Sequence, residues 1–146
     1  MGLLDKIKDF FKKQAIIAQK DNVLAMAIHY IITEELKWYP KKVNFGSDKH
    51  EMEYVKPGSP LNELEIEAER VGNKLYLKFE GELKRGGTLG SLLEMAFDID
   101  LDKEIRHHIV LNLSDFVNDN LEIINEDELR KTIKSYIEKI EEKAKE

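Results

Sequence analysis

Hydrophobic and polar positions follow a helical period at both ends of the chain and a strand period in the middle. Leu3, Leu4, Ile7, Phe10, Phe11 and Ile17 fall on one broad stripe with lysines opposite, which predicts a helix over residues 3–19. Asp21 and Asn22 offer an N-cap for a second helix from Val23 to about Trp38. That second segment is apolar on most sides, so it is expected to be buried. Pro40 is expected to stop it, because proline removes a donor and disfavours helix in the residue before it.

From Lys49 to Lys56 the pattern becomes a weak alternation, with His50, Met52 and Tyr54 set against Glu51, Glu53 and Val55. Pro57-Gly58-Ser59-Pro60 reads as a rigid turn. The strongest local signal follows. Leu64, Ile66 and Ala68 alternate with Glu63, Glu65, Glu67 and Glu69. After Val71-Gly72-Asn73-Lys74, Leu75, Leu77 and Phe79 alternate with Tyr76, Lys78, Glu80 and Glu82. Two period-two runs joined by Gly-Asn predict a β-hairpin. A two-residue turn fixes its register. Ala68 should face Leu77, Ile66 should face Phe79 and Leu64 should face Gly81 on the buried side. On the other side Glu67 should meet Lys78, Glu65 should meet Glu80, and Glu63 should meet Glu82. Like charges directly opposite oppose pairing.

Beyond the hairpin, Arg85-Gly86-Gly87-Thr88-Leu89-Gly90 reads as a loop, and Ser91 to Phe97 as a short helix with capping-box spacing at Ser91 and Glu94. Residues 98–103 read as a polar connector. Ile105 to Leu113 reads as a strand. Its centre, Ile109-Val110-Leu111, is apolar on both faces and is therefore expected inside the sheet. Asn125 with Glu128 should cap a last helix over 126–145, with Leu129, Ile133, Tyr136, Ile137, Ile140 and Ala144 as its apolar stripe. Together these elements predict one α+β domain over residues 1–146. Residues 3–38 form a helical N-terminal part and 43–113 a sheet-forming part, followed by the C-terminal helix. The sheet is mainly antiparallel, of four to five strands, with the N-terminal and C-terminal helices packed on one face.

Composition narrows the functional classes. The chain has 146 residues, enough for one core without a staple, and no cysteine, which excludes disulfides, thiolate metal sites and a cysteine nucleophile. A net charge of −6 argues against nucleic acid as a partner, and acids within the first helix argue against an anionic membrane surface. The N-terminus lacks the apolar run of a signal peptide, so a cytoplasmic setting is expected. Charged residues make up 36% of the chain, mostly lysine and glutamate, which fits a heat-adapted source or an A/T-rich genome.

Glu63, Glu65, Glu80 and Glu82 form the main candidate site. Several carboxylate oxygens could hold a divalent cation, or the acids could dock a basic partner, with Glu65 and Glu80 at the centre of such a surface. An exposed sheet face kept soluble by charge is the plain alternative. Asp98-Ile99-Asp100-Leu101-Asp102 fails as a calcium loop because Lys103 stands where glycine is needed and Ile109 where the bidentate glutamate is needed. The glycine loop lacks the Lys-Ser/Thr pair of a phosphate-binding loop. His107 and His108 are strand neighbours and point to opposite faces, so they cannot share a metal. No cofactor is expected.

The run Leu75-Tyr76-Leu77-Lys78-Phe79-Glu80-Gly81-Glu82-Leu83, with Ile109-Val110-Leu111-Asn112-Leu113-Ser114 later, resembles the strand-Gly-Glu-Leu and strand-Asp-Leu-Ser elements of STAS domains of the anti-sigma-factor-antagonist type, over residues 61–119. Asn112 stands where that family has aspartate, and Asp119-Asn120 lacks its phosphoacceptor serine and glycine. The resemblance implies a regulatory domain in which strand 105–113 runs parallel to its neighbour in the hairpin.

Three functions are therefore expected to compete. The first is a non-catalytic protein-interaction module, a homodimer burying part of helix 3–19 (with Phe10 and Phe11) or of helix 126–145. The second is a STAS-like regulatory domain, and the third a metal-dependent enzyme using the acidic face.

Overall fold

The computed structural model describes residues 19–83 and 104–145. The expected helix 3–19 with Phe10 and Phe11, the glycine loop, helix 91–97 and the connector 98–103 lie outside them. Helix α1 (Lys20–Tyr30) runs on into a π-helical segment (Ile31–Glu35). Strands β1 (Tyr39–Phe45), β2 (Lys49–Val55), β3 (Leu61–Val71), β4 (Lys74–Leu83) and β5 (Glu104–Asn112) follow. A short helix α2 (Leu113–Phe116) and the long helix α3 (Glu126–Ala144) complete the order. The five strands lie in sequence order, β1-β2-β3-β4-β5, each antiparallel to the next.

The β3–β4 hairpin has the expected register. Ile66 faces Phe79, Ala68 faces Leu77, Leu64 faces Gly81, Glu65 faces Glu80 and Glu63 faces Glu82. Gly72 adopts φ 63°, the left-handed turn conformation that glycine tolerates best. Strand parity then sorts the sheet into two faces. Met52, Tyr54, Leu64, Ile66, Leu77 and Phe79 are buried with Val23, Leu24, Ile28 and Ile31 from the first helical segment and Leu129, Ile133, Ile137 and Ile140 from α3. At Gly81 the helix α3 packs close on the sheet: a Cβ there would lie 2.5 Å from Ile140 Cγ2 and 2.9 Å from Leu61 Cδ2.

Several expectations need correction. The second helix begins earlier than Val23 and ends before Trp38. Its N-cap is Gln19, so Asp21 and Asn22 lie in the first turn. It ends through π-type geometry, with Leu36 N–H donating to Ile31 O, and Lys37 then adopts φ 64°. Pro40 does not terminate the helix but sits in edge strand β1, where proline is tolerated. Asn125 does not form a capping box. It has φ 52°, and its amide donates to Asp115 O at 2.6 Å. Strand 105–113 is not interior to the sheet. Among the described residues it is an edge strand, and Val110 on its outer side is 48% exposed. It runs antiparallel to β4, where the STAS resemblance implied a parallel neighbour. The apolar stripe of α3 is used within the chain, since Leu129, Ile133, Ile137 and Ile140 are buried against its own sheet.

Candidate functional site

Parity places glutamates together on the sheet face opposite α1 and α3. Glu51 and Glu53 project from β2, Glu63, Glu65, Glu67 and Glu69 from β3, and Glu80 and Glu82 from β4. The ladders set Glu53 beside Glu65, Glu51 beside Glu67, and Glu65 beside Glu80. The four candidates Glu63, Glu65, Glu80 and Glu82 thus share the expected face, but they do not form one cluster.

Glu63 and Glu65 turn toward β2. Their carboxylates and that of Glu53 offer oxygens all within 4.8 Å of one another. Glu80 turns toward Lys78 at 3.4 Å and Arg106 Nε at 3.6 Å, and is only 9% exposed. Lys78 also holds Glu67 at 3.2 Å. Glu53 was missed by sequence reasoning because the proline-bounded loop before β3 does not fix the β2–β3 register. The parity of His50, Met52 and Tyr54 is the signal that could have placed it.

In the three-carboxylate cluster burial and mutual repulsion favour the protonated form, and one lysine opposes them. Burial, then a hydrogen bond and charge from Glu53, then the charges of Glu80 and Glu63, push Glu65 up to about 7. Glu63 is raised too, chiefly by burial and then by Glu53, while Lys41 at 3.7 Å pulls it down. Half-buried carboxyls that share a proton relieve their repulsion without an ion. The same oxygens are also the chemistry a hard divalent cation would select.

A second polar group lies in the core between α1 and the sheet. His50 Nε2 and Asp21 Oδ2 are 2.8 Å apart with both side chains fully buried, so the ring N–H donates to the carboxylate. Arg70 donates to the other Asp21 oxygen at 3.4 Å, and Asn22 Nδ2 donates to Gly46 O at 3.1 Å. Together these bonds pin the start of α1 to the β1–β2 turn. Among the described residues, buried His50 Nδ1 has no hydrogen-bond partner. Phe45 packs between the rings of His50 and His29, each about 5.9 Å away, and His29 Nδ1 lies 2.7 Å from the Tyr54 hydroxyl. Burial lowers His29 to about 4, against a smaller opposing pull from Glu34, and burial raises Tyr54. Nothing local in the sequence links His29, His50 and Asp21, which come from two elements. His107 faces Tyr136 of α3, with ring centroids 6.1 Å apart, while its neighbour His108 is on the outer side, as strand alternation requires.

Among the described residues no helix is long and apolar enough to cross a membrane. Comparison of the chain with protein-family models, with curated proteins and with solved structures finds no match.

Proposed function

We propose that this chain is a non-catalytic intracellular interaction module that associates with a second copy of itself and presents an acidic sheet face. The observation that carries this reading is how its chemically capable groups are used. His50 and Asp21 are fully buried and bonded to each other through His50 Nε2, and His29 is tied to Tyr54 in the same layer. These are packing roles, with the polar pairs holding α1 on the sheet. Of the outer carboxylates, Glu63 lies beside Lys41, and Glu80 lies beside Lys78 and Arg106. The acidic face keeps the module soluble and repels other acidic surfaces, which leaves recognition to the less charged parts of the sheet.

The three-oxygen cluster of Glu53, Glu63 and Glu65 favours a second reading, a divalent-cation site. Sedimentation equilibrium across a concentration series, paired with calorimetry in calcium, magnesium and manganese, separates the two. The module reading expects a monomer–dimer equilibrium and an unchanged melting temperature with each ion. A monomer at high micromolar concentration, or a melting temperature raised by one ion and not in Glu65→Gln, would replace it.

A further inference from the structure

The two edges of the sheet are built differently. In β1, Pro40, Lys41 and Lys42 and a register irregularity between Pro40 and Lys42 mark a strand protected against pairing. In β5, Glu104-Ile105-Arg106-His107-His108-Ile109-Val110-Leu111-Asn112 has no proline, no lysine and no bulge against β4. Its one acid and one arginine are paired with each other, so the strip is neutral in a chain of net charge −6.

The hydrogen-bond phase of β5 is fixed by its C-terminal end. Leu113 N–H donates to Asn73 O, so alternation turns the odd residues of the strand toward β4. The even residues Glu104, Arg106, His108 and Val110 therefore direct their backbone N–H and C=O groups to the open edge, while Asn112 leads into α2 as its N-cap. Among the described residues none of the groups of these four has a backbone partner. Ile105, His107 and Ile109 on the helix-covered side are only half-buried, and Val110 on the other side is 48% exposed.

From this edge we infer that the partner is a second copy of the chain, joined β5 to β5 in antiparallel pairing about a two-fold axis at His108, a surface that gives the self-association proposed above its location. Full overlap of the strand with itself requires that axis. Every outward-facing even residue then meets another: Arg106 of one protomer opposite Val110 of its partner, Glu104 opposite Asn112, and His108 opposite its own copy. On the helix-covered side Ile105 meets Leu111, and His107 meets Ile109, which completes the burial that Ile105, His107 and Ile109 lack. The lysines and proline of β1 keep a β5 edge from adding to a β1 edge, so the pairing closes as a dimer instead of growing into a filament.

Two charge variants and one cross-link test this on the full chain. Val110→Lys places a lysine opposite Arg106 twice per dimer and should weaken the dimer about tenfold. Val110→Glu makes two opposite-charge pairs at the same positions and should tighten it. Because the chain has no cysteine, His108→Cys gives one thiol per protomer, set about 5.5 Å Cα to Cα from its copy, within disulfide reach. It should oxidise to a covalent dimer, while Arg106→Cys, which meets position 110, should not. A dimer insensitive to both charge variants, or equal cross-linking at 106 and 108, would overturn the β5 interface and leave self-association through another surface standing. A monomeric parent would overturn both.

Discussion

Glu65→Gln removes one charge from the centre of the acidic face and keeps the shape of the side chain. In the unfolded chain a glutamate ionises near 4.5, whereas in the fold Glu65 keeps its proton to about 7. Between those values the folded protein binds more protons than the unfolded one, so stability falls as pH rises and the full penalty is present above 7. The displacement corresponds to about 3 kcal/mol if unscreened, and to about 1–2 kcal/mol once solvent at this half-exposed position is allowed for. Glutamine carries no such penalty. At about pH 8 the variant should melt about 3–6 °C above the parent, and at about pH 4, where the parent carboxyl is protonated in both states, the two should coincide. Thermal unfolding of both proteins across this range, followed by circular dichroism, reads the difference directly. A gain that is the same at both ends of the range, or a variant that melts lower at high pH, would refute the claim that burial, with Glu53, Glu80 and Glu63, holds the proton on Glu65.

Three further outcomes probe the core. Gly81→Ala drives a Cβ against Ile140 and Leu61, and urea unfolding should show a loss of about 1–3 kcal/mol. Asp21→Ala leaves His50 and Arg70 without their shared carboxylate, and should cost about 3–5 kcal/mol in the same assay. Burial lowers His29 from 6.5 to about 4, so its contribution to stability is complete above 6.5 and disappears as pH falls through about 4. Its ring resonances, followed by NMR, should therefore stay those of the neutral imidazole through pH 6 and move only near the lower value.

Legibility in the sequence followed the range of the interactions. The β3–β4 hairpin was readable pair by pair because a two-residue turn and alternation on both sides leave one register that buries Leu64, Ile66, Leu77 and Phe79. The parity that put Glu63, Glu65, Glu80 and Glu82 on one face came with it. Whether those acids would be free in solvent did not, because that depends on strands two and five. Glu53 draws Glu63 and Glu65 one way, and Arg106 draws Glu80 the other. Strand β1 was unreadable for a related reason: exposed nearly throughout, it shows no apolar alternation, and Pro40 suggests a break. The apolar run Ile109-Val110-Leu111 pointed to an interior strand, since composition cannot distinguish a strand flanked by two others from an edge strand whose outer side remains open. The Asp21–His50 bond joins residues 29 apart on a helix and a strand, and only their packing brings them together.

Amide hydrogen exchange along β5 tests the central claim, that the chain associates with itself through this edge. The amides of Ile105, His107, Ile109 and Leu111 point to β4 and should be protected at any concentration. Those of Arg106, His108 and Val110 point to the open edge. In a dimer joined through β5 they are protected at high protein concentration and lose that protection on dilution through the dimer dissociation constant. Fast exchange of these three amides at every concentration, with their odd-numbered neighbours still protected, would contradict it.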